Sequence, residues 1–420
     1  MGKDTDILVL GATGFTGRLI TRYLHHHPQR QDFTFSIAGR SKARLADIVD
    51  QVGLGKDVDV VVVDVEDSES VEKAVKDVKV VVNTVGPYWR WGSAVVRACA
   101  LHRTHYVDLA GENHWKKKVI EDYDFLAFKT SSIIIPACGF DSIPSDISAY
   151  LSVRTLKKKL GPETRVGKST SIFRLQGGMS GGTISTILTA LEAVPRKVLA
   201  AAAADYALSP VQGKPTPFFQ FVYTAPVLRP TQYGAYWLMS GANKAVVQRT
   251  WGIKQLRGPS EGYGPDFVYD EFLGRKSKLG SFLFGMAFMS GLALVMLSPV
   301  RWLLKKLVPA PGEGPSEESM QEGWFKIINV ASTSSLPQPV HAKSTVTARG
   351  DPGYLVTAVM ISESALAILD LTSTAKDKIE GGILTPMSAL GDSLIERLEK
   401  TGRFDFESEI YTPEEDKKNV

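Results

Sequence analysis

The segment ILVLGATGFTGRLI, Ile7 to Ile20, decides the fold of this 420-residue chain. Ile7–Leu10 is a short apolar run typical of a buried strand, and apolar residues recur at helical spacing from Phe15 onward. The turn between them carries a G-x-x-G-x-x-G pattern made by Gly11, Gly14 and Gly17. A strand, a glycine turn and a helix start in this order predict a site for the diphosphate of a dinucleotide.

Each glycine of the turn has a separate physical task. Gly11 permits the backbone angles of the tight turn, Gly14 permits the close approach of a diphosphate, and Gly17 permits the helix to pack on the strand. The free N–H groups at the start of the helix then face the phosphates. The residues predicted to bind the cofactor here are Gly11, Ala12, Thr13, Gly14, Phe15, Thr16 and Gly17.

The composition is that of an ordinary globular protein, with 44% hydrophobic and 22% charged residues. A net charge of +4 without an aromatic-studded basic stripe argues against nucleic acid as a partner. Two cysteines imply no disulfide framework, and the start of the chain has no apolar signal region, so we expect a cytosol-facing protein. No Cys or His spacing predicts a metal site; the run His25–His27 is a poor one because adjacent helical positions point in different directions.

Strands and helices alternate through the first 140 or so residues. Ser41 and Ser68 are predicted to cap two of the helices, and Gly53 to end the first of these. The third strand is a β-branched run of the kind found in buried parallel strands. The predicted strands are Ile7–Leu10, Phe33–Ala38, Val58–Val63, Val78–Val85, His105–Asp108 and Ser132–Pro136. This alternation predicts an α/β fold with a doubly wound parallel sheet of the Rossmann type.

The end of the second strand favours NADP(H) over NAD(H). An NAD site usually places an acid there, on the ribose 2′-hydroxyl, whereas this chain has Arg40 and Ser41, which suit a 2′-phosphate. The alternative is that Arg40 is a solvated charge at a helix start. Further cofactor contacts are predicted at Asp64, on the adenine side unless it caps a loop, and beside the nicotinamide ribose at Asn83, Gly86 and Pro87.

Candidate catalytic groups follow the fourth, fifth and sixth strands, where a parallel sheet binds its ligands. They are Tyr88, Glu112 and Asp141. Each has a structural alternative: Tyr88 as an apolar wall of the cleft, Glu112 (like Asp108) as an acid favoured by a helix start, and Asp141 or Ser142 as a helix cap. Cys138 lacks an obvious partner base and is interpreted as a small buried residue.

Leu279–Val300 contains no charged residue and is long enough to span a bilayer as a helix. Basic residues flank both ends, which favours a re-entrant or interfacial insertion facing anionic headgroups. The alternative is a buried core helix. The following stretch, residues 309–323, is rich in Pro, Gly and Glu and predicts a mobile surface loop.

Several motifs in order resemble the saccharopine dehydrogenase-like oxidoreductases, a family that includes bacterial trans-acting enoyl reductases and an animal protein associated with membranes and lipid droplets. They are LGATGFTGRLI, AGRS, VVNTVGPYWRWGSAVVRAC, YVDLAGE and CGFDSIPSD, followed by matching stretches at Asp351–Leu369 and Gly381–Leu398. The resemblance implies an N-terminal Rossmann domain, an inserted α+β domain and a C-terminal segment that returns to the first. We therefore predict domains at 1–148, 149–345 and 346–420.

The resemblance and the apolar segment together predict an NADPH-dependent oxidoreductase acting on an apolar, lipid- or polyketide-like acyl substrate, as an enoyl reductase does. A membrane or lipid-droplet surface is the expected partner, and a homodimer is left open. Two alternatives remain: a saccharopine-type amino-acid dehydrogenase, and a non-catalytic membrane or lipid-droplet protein that keeps the cofactor fold.

Overall fold

The structure is a computed structural model that describes residues 3–177, 190–216, 219–307, 314–374 and 380–413. Its first sheet has seven parallel strands in the order β13-β6-β5-β4-β1-β2-β3. The strands are β1 (Thr5–Leu10), β2 (Phe35–Gly39), β3 (Asp59–Val62), β4 (Val78–Asn83), β5 (His105–Asp108), β6 (Ile133–Ile135) and β13 (Gly382–Ile383). The order reverses between β1 and β4, which is the switch point where such sheets bind ligands.

Helices cover both faces of this sheet, so the predicted doubly wound α/β fold is confirmed. Side chains of β1 alternate between two cores: Ile7 and Val9 pack with one set of helices, and Leu8 and Leu10 with the other. The first set is α1 (Phe15–His25), α2 (Lys42–Val52) and α12 (Thr357–Thr374); the second is α3 (Ser68–Val75), α4 (Tyr88–Leu101) and α5 (Asn113–Thr130). The predicted helix limits at Ser41 and Gly53 are confirmed, because Ser41 accepts a hydrogen bond from the Arg44 amide and Gly53 has a φ of 74°.

The second sheet is mixed and has the order β14-β12-β11-β7-β10-β9-β8, with β7 and β10 as its parallel pair. Its strands are β7 (Val166–Gln176), β8 (Tyr223–Ala225), β9 (Gln232–Ala235), β10 (Val268–Arg275), β11 (Trp324–Thr333), β12 (His341–Arg349) and β14 (Phe404–Tyr411). Helix α6 (Ile143–Leu160) leaves the first sheet and packs across the second, so it joins the two cores.

The remaining α-helices among the described residues are α7 (Arg196–Ala203), α8 (Ser240–Leu256), α9 (Lys278–Val295), α10 (Ser298–Leu307), α11 (Glu317–Glu322), α13 (Pro386–Ala389) and α14 (Asp392–Lys400). After the second sheet the chain returns to the first through α12 and β13, and then back to the second through β14. Both predicted domain limits fall inside elements, the first in α6 and the second in β12, and the division itself stays a prediction.

Several local predictions were wrong for identifiable reasons. Strand β3 was predicted to be buried, but it is the edge strand of its sheet, and Val60 and Val62 are 43% and 53% exposed. Asp67, not Ser68, caps α3, because its carboxylate accepts from the Glu69 amide. Part of the stretch 309–323, predicted as a mobile loop, forms α11, which Ser316 caps and which buries Met320; residues 309–313 lie outside the described residues.

The apolar segment forms two helices rather than one span. Helix α9 ends at Val295, and Arg301 in α10 donates hydrogen bonds to the carbonyl oxygens of Val295 and Met296, which closes the end of α9. We call α9 and α10 together the apolar hairpin. Most of its surface over residues 278–304 is exposed; in α9 the buried residues are Ser281 and Gly285.

Two described helical stretches are long and apolar enough to cross a membrane, Lys278–Val295 and Pro352–Thr374. The second is largely buried and belongs to the core of the first sheet, whereas only 11% of the first is buried. Exposed leucines of α9 include Leu279 at 67% and Leu283 at 58%. The alternative of a buried core helix at 279–300 is therefore wrong for this chain.

Candidate active site

The glycine turn after β1 is packed so closely that side chains at two of its positions would collide with neighbouring atoms. Gly11 has a φ of 90°, and a Cβ there would lie 2.6 Å from the hydroxyl oxygen of Thr84. A Cβ at Gly17 would lie 2.2 Å from the carbonyl oxygen of Gly11. The amides of Gly11 and Ala12 both donate to the carbonyl of Ala38, which ties the turn to β2.

The start of α1 is built to receive an anion. Gly14 occupies the N-cap position with no side chain to accept from the first amides, and the first turn contains no acid. The first N–H groups of a helix have no partner within it, and its dipole is positive at that end. The turn therefore fits a cofactor diphosphate, with amides from Phe15 to Gly17 as donors.

The predicted 2′-phosphate site lies beside this turn. Arg40 follows β2 directly and is exposed, and Ser41 caps α2. Thr13 of the glycine turn is a close neighbour, since a Cβ at Gly39 would lie 3.5 Å from its methyl carbon. None of the described residues forms an ion pair or hydrogen bond with the Arg40 side chain, which leaves its guanidinium available to a ligand.

The other predicted cofactor residues have structural partners. The Asp64 carboxylate accepts from the Glu66 amide, which matches the loop-capping alternative. Asn83 is fully buried; its amide group donates to the Tyr106 hydroxyl and its oxygen accepts from the Val85 amide. Gly86 is exposed and joined to Pro87 by a cis peptide bond at the start of α4. Cofactor contacts at these four positions stay predictions.

Tyr88 and Glu112 are brought together at the start of α4. Both carboxylate oxygens of Glu112 accept backbone N–H groups, from Tyr88 and Trp89, each at 2.9 Å. The Tyr88 hydroxyl donates to the Asn83 carbonyl oxygen and accepts from the Leu109 amide. Since these groups are engaged in holding the loops after β4 and β5, they position the site, and their catalytic role stays a prediction.

Asp108 ends β5 and is fully buried. Its carboxylate accepts from the Tyr106 hydroxyl and from the amides of Ala110 and Ala137, so it ties the end of β5 to that of β6. Burial raises the pKa of Asp108 to about 6, although these hydrogen bonds act in the opposite direction.

Asp141 follows β6 and is half-buried, and neither it nor Ser142 caps α6 through its side chain, so the capping alternative for them is wrong. Burial raises the pKa of Asp141 to about 6, and the positive charge of Lys116 opposes this rise. Asp141 makes no hydrogen bond to the described part of the chain, so of the three predicted catalytic groups it is the one left accessible.

Lys116, a residue that sequence reasoning missed, lies among these acids. It is 2% exposed, and burial lowers its pKa to about 8, while the charges of Asp108, Asp141 and Glu112 oppose this fall. A pattern in the sequence marks it: Lys117 and Lys118 pair with acids four residues later, whereas position 120 is Ile, so Lys116 is on the inward face of α5.

Where β4, β5 and β6 end, buried polar atoms lack hydrogen-bond partners among the described residues. They are Trp89 Nε1, Asn113 Oδ1, His114 Nε2, Lys116 Nζ and Ser142 Oγ. Buried polar groups in folded proteins are almost always satisfied, so a cluster of unsatisfied ones marks a place for a ligand or ordered water. Among the described residues no group of three or more His, Cys, Asp or Glu side chains is arranged to hold a metal ion.

Aromatic side chains pack next to this edge and in the second sheet. Phe140, next to Asp141, contacts Phe173 at a centroid distance of 6.2 Å, and Trp237 stacks on Phe173 at 5.8 Å. Tyr236, which packs in a different core from Trp237, contacts Phe288 of α9 at 5.1 Å. The ring contacts therefore form two separate clusters, one beside α9 and one beside Phe140.

A diphosphate-binding turn at the switch point of a parallel sheet, with ionisable groups at the adjoining strand ends, defines an NAD(P)-dependent oxidoreductase. Residues 7–128 match the family described as the saccharopine dehydrogenase NADP binding domain, so this domain binds NADP(H).

Comparison with known proteins finds relatives that align with almost the whole chain. It is 30% identical over 424 residues to a trans-acting enoyl reductase of Mycobacterium ulcerans, with 95% of this chain and 97% of that protein aligned. A trans-acting enoyl reductase of Mycobacterium tuberculosis is 29% identical over 420 residues, with the same coverage. The chain belongs to the saccharopine dehydrogenase-like oxidoreductase family.

The fold agrees with that assignment. A saccharopine dehydrogenase (L-Glu forming) from Saccharomyces cerevisiae superposes with a TM-score of 0.50 at 13% identity, covering 97% of this chain and 100% of that one. At this identity the likeness concerns the architecture, and it carries nothing about the substrate.

Proposed function

We propose that the protein is an NADPH-dependent enoyl reductase that acts on an apolar acyl substrate drawn from a membrane or lipid-droplet surface. The observation that carries the proposal is the exposed apolar hairpin, only 11% of whose first helix is buried. The curated relatives named trans-acting enoyl reductases, aligned over nearly the full chain, support reduction of a carbon–carbon double bond.

The surroundings of the hairpin favour a lipid surface as its partner. Arg275 lies over the ring of Phe284 at 3.9 Å, and Lys278 lies over that of Tyr233 at 5.3 Å, so cations flank the apolar face at its base. Arg301 stands at the turn between the two helices and is 3.4 Å from Glu192. An apolar helix bordered by cations is suited to insertion at an interface with anionic headgroups.

A charged amino-acid substrate fits the apolar hairpin less well, because burying a carboxylate or an ammonium against apolar side chains would cost its hydration. An acyl chain gains from the same burial. The substrate class is therefore argued from the apolar hairpin rather than from the fold.

The reaction is tested by incubating the purified full-length protein with NADPH and a panel of 2-enoyl thioesters of increasing chain length, while NADPH absorbance is followed. We expect NADPH consumption that rises with chain length. Consumption with saccharopine-type imine substrates and none with enoyl thioesters would contradict the proposal and favour the amino-acid dehydrogenase alternative.

Preference for NADPH over NADH is part of the proposal, and it rests on Arg40. Arg40→Asp is expected to weaken NADPH binding about 10- to 100-fold, because a charge-assisted hydrogen bond worth roughly 1.5–3 kcal/mol is lost. NADH affinity should be unchanged. Calorimetric titration with each cofactor measures this, and Lys42→Asp, at the next exposed cation along α2, is the matched control. Equal losses in both variants would contradict a specific role for Arg40.

A further inference from the structure

We propose that Lys116 binds the carbonyl oxygen of the acyl substrate and stabilises the negative charge that forms on it during reduction. The inference rests on the proposed function and adds a catalytic residue to it. Lys116 stands in the first turn of α5, beside the end of β5, and its ammonium nitrogen is buried without a hydrogen-bond partner among the described residues.

The placement of this lysine costs stability, which argues for a function. A cation in the first turn of a helix faces the positive end of the dipole. An ammonium withdrawn from water is costly unless it is paired and hydrogen-bonded. Here Trp115 and Val119, its neighbours in α5, are also fully buried, so the side chain has no route to bulk solvent along its own helix.

The acids around Lys116 offset its charge, but two of them accept hydrogen bonds from other groups. Glu112 accepts from two amides of α4, and Asp108 accepts from the Tyr106 hydroxyl and two backbone amides. Asp141 is half-buried and has no hydrogen-bond partner in the described part of the chain. His114, whose pKa is lowered by burial and by Lys116, is the remaining titratable neighbour. The three N–H donors of Lys116 are therefore left for a ligand.

The chemistry of enoyl reduction supplies an acceptor for these donors. When bound at the glycine turn, NADPH would supply the hydride that adds to the β-carbon of a 2-enoyl thioester, and it would leave as NADP⁺. The C=C π bond breaks, its electron pair moves to the α-carbon and the carbonyl oxygen, and a proton from water then adds at the α-carbon. Lys116 stabilises the oxygen while it is negative, as donors placed at an oxyanion do.

Lys116→Met is expected to lower kcat with a 2-enoyl thioester about 100- to 1000-fold, the usual effect of removing one oxyanion donor. NADPH affinity measured by calorimetry should not change. In the wild-type protein we expect the rate to fall as pH rises through about 8, where Lys116 loses its proton, and Lys116→Met should lack this fall. Lys117→Met, which breaks the surface pair with Glu121, is the matched control and should keep full activity.

A kcat of Lys116→Met within a few-fold of the wild type would overturn the inference. A wild-type protein that binds NADPH but reduces no enoyl thioester would contradict the proposed function instead.

A second measurement tests the inference without a variant. With NADP⁺ bound, the wild-type protein should bind a saturated acyl thioester more tightly than the matching thioether, which lacks the carbonyl oxygen. Equal affinities for the two would also overturn the inference.

Discussion

Replacing Gly14 by aspartate is expected to abolish measurable NADPH binding without unfolding the protein. Gly14 has the extended backbone of an N-cap residue, and a Cβ there would lie 3.3 Å from the Gly11 carbonyl oxygen, a tight but tolerable contact. Aspartate is a favourable N-cap residue, so α1 should be retained. A carboxylate about 4 Å from a phosphate repels it by roughly 4 kcal/mol near a protein surface, or about 1000-fold in affinity.

Gly14→Asn separates charge from size in this experiment. Asparagine caps a helix as well as aspartate does and carries no charge, so it should lose much less affinity and keep the same thermal stability. NADPH binding by Gly14→Asp at near wild-type affinity would contradict the assignment of this turn to the diphosphate. The same variant tests the non-catalytic alternative in cells, because a scaffold should work without the cofactor.

Replacing Leu279 and Leu283 together by glutamate is expected to abolish binding to lipid vesicles. Both leucines are more than half exposed on α9. Burying a leucine contributes about 1.5–3 kcal/mol, so losing two should lower partitioning by roughly 100-fold or more. Flotation with vesicles that contain anionic lipid measures the effect, with NADPH affinity as a check that the first domain is intact.

Leu256→Glu is the matched control for this experiment, because Leu256 is 69% exposed but lies at the end of α8 rather than in the apolar hairpin. It should float as the wild type does. If the double variant floats equally well, the hairpin is not the membrane contact.

The first sheet was predictable because the residues that indicate each of its elements are adjacent in the sequence. A strand, a glycine turn and a helix start occur within 14 consecutive residues, Ile7 to Ile20, and each later strand is an apolar run of its own. The exposure of β3 was not predictable in this way. Val58–Val63 reads as a buried strand by composition, but its place at the edge depends on strand order, which involves residues far away along the chain.

The roles of the residues at the ends of β4, β5 and β6 were harder to predict, because each depends on contacts with residues far away along the chain. Glu112 looked like a helix-start acid or a catalyst, yet it accepts the amides of α4, an element that begins 24 residues earlier. Lys116 was not recognised because it belongs to a run of three lysines, and the other two form ion pairs at the surface. The missing pairing acid at position 120 was the signal that this lysine points inward.

Calorimetric titration of the wild-type full-length protein with NADPH, and separately with NADH, tests most directly whether the glycine turn binds a cofactor. The account predicts saturable heat with one NADPH per chain and weaker binding of NADH, because Arg40 has a 2′-phosphate to contact in NADPH alone. The absence of saturable heat with either nucleotide would contradict it.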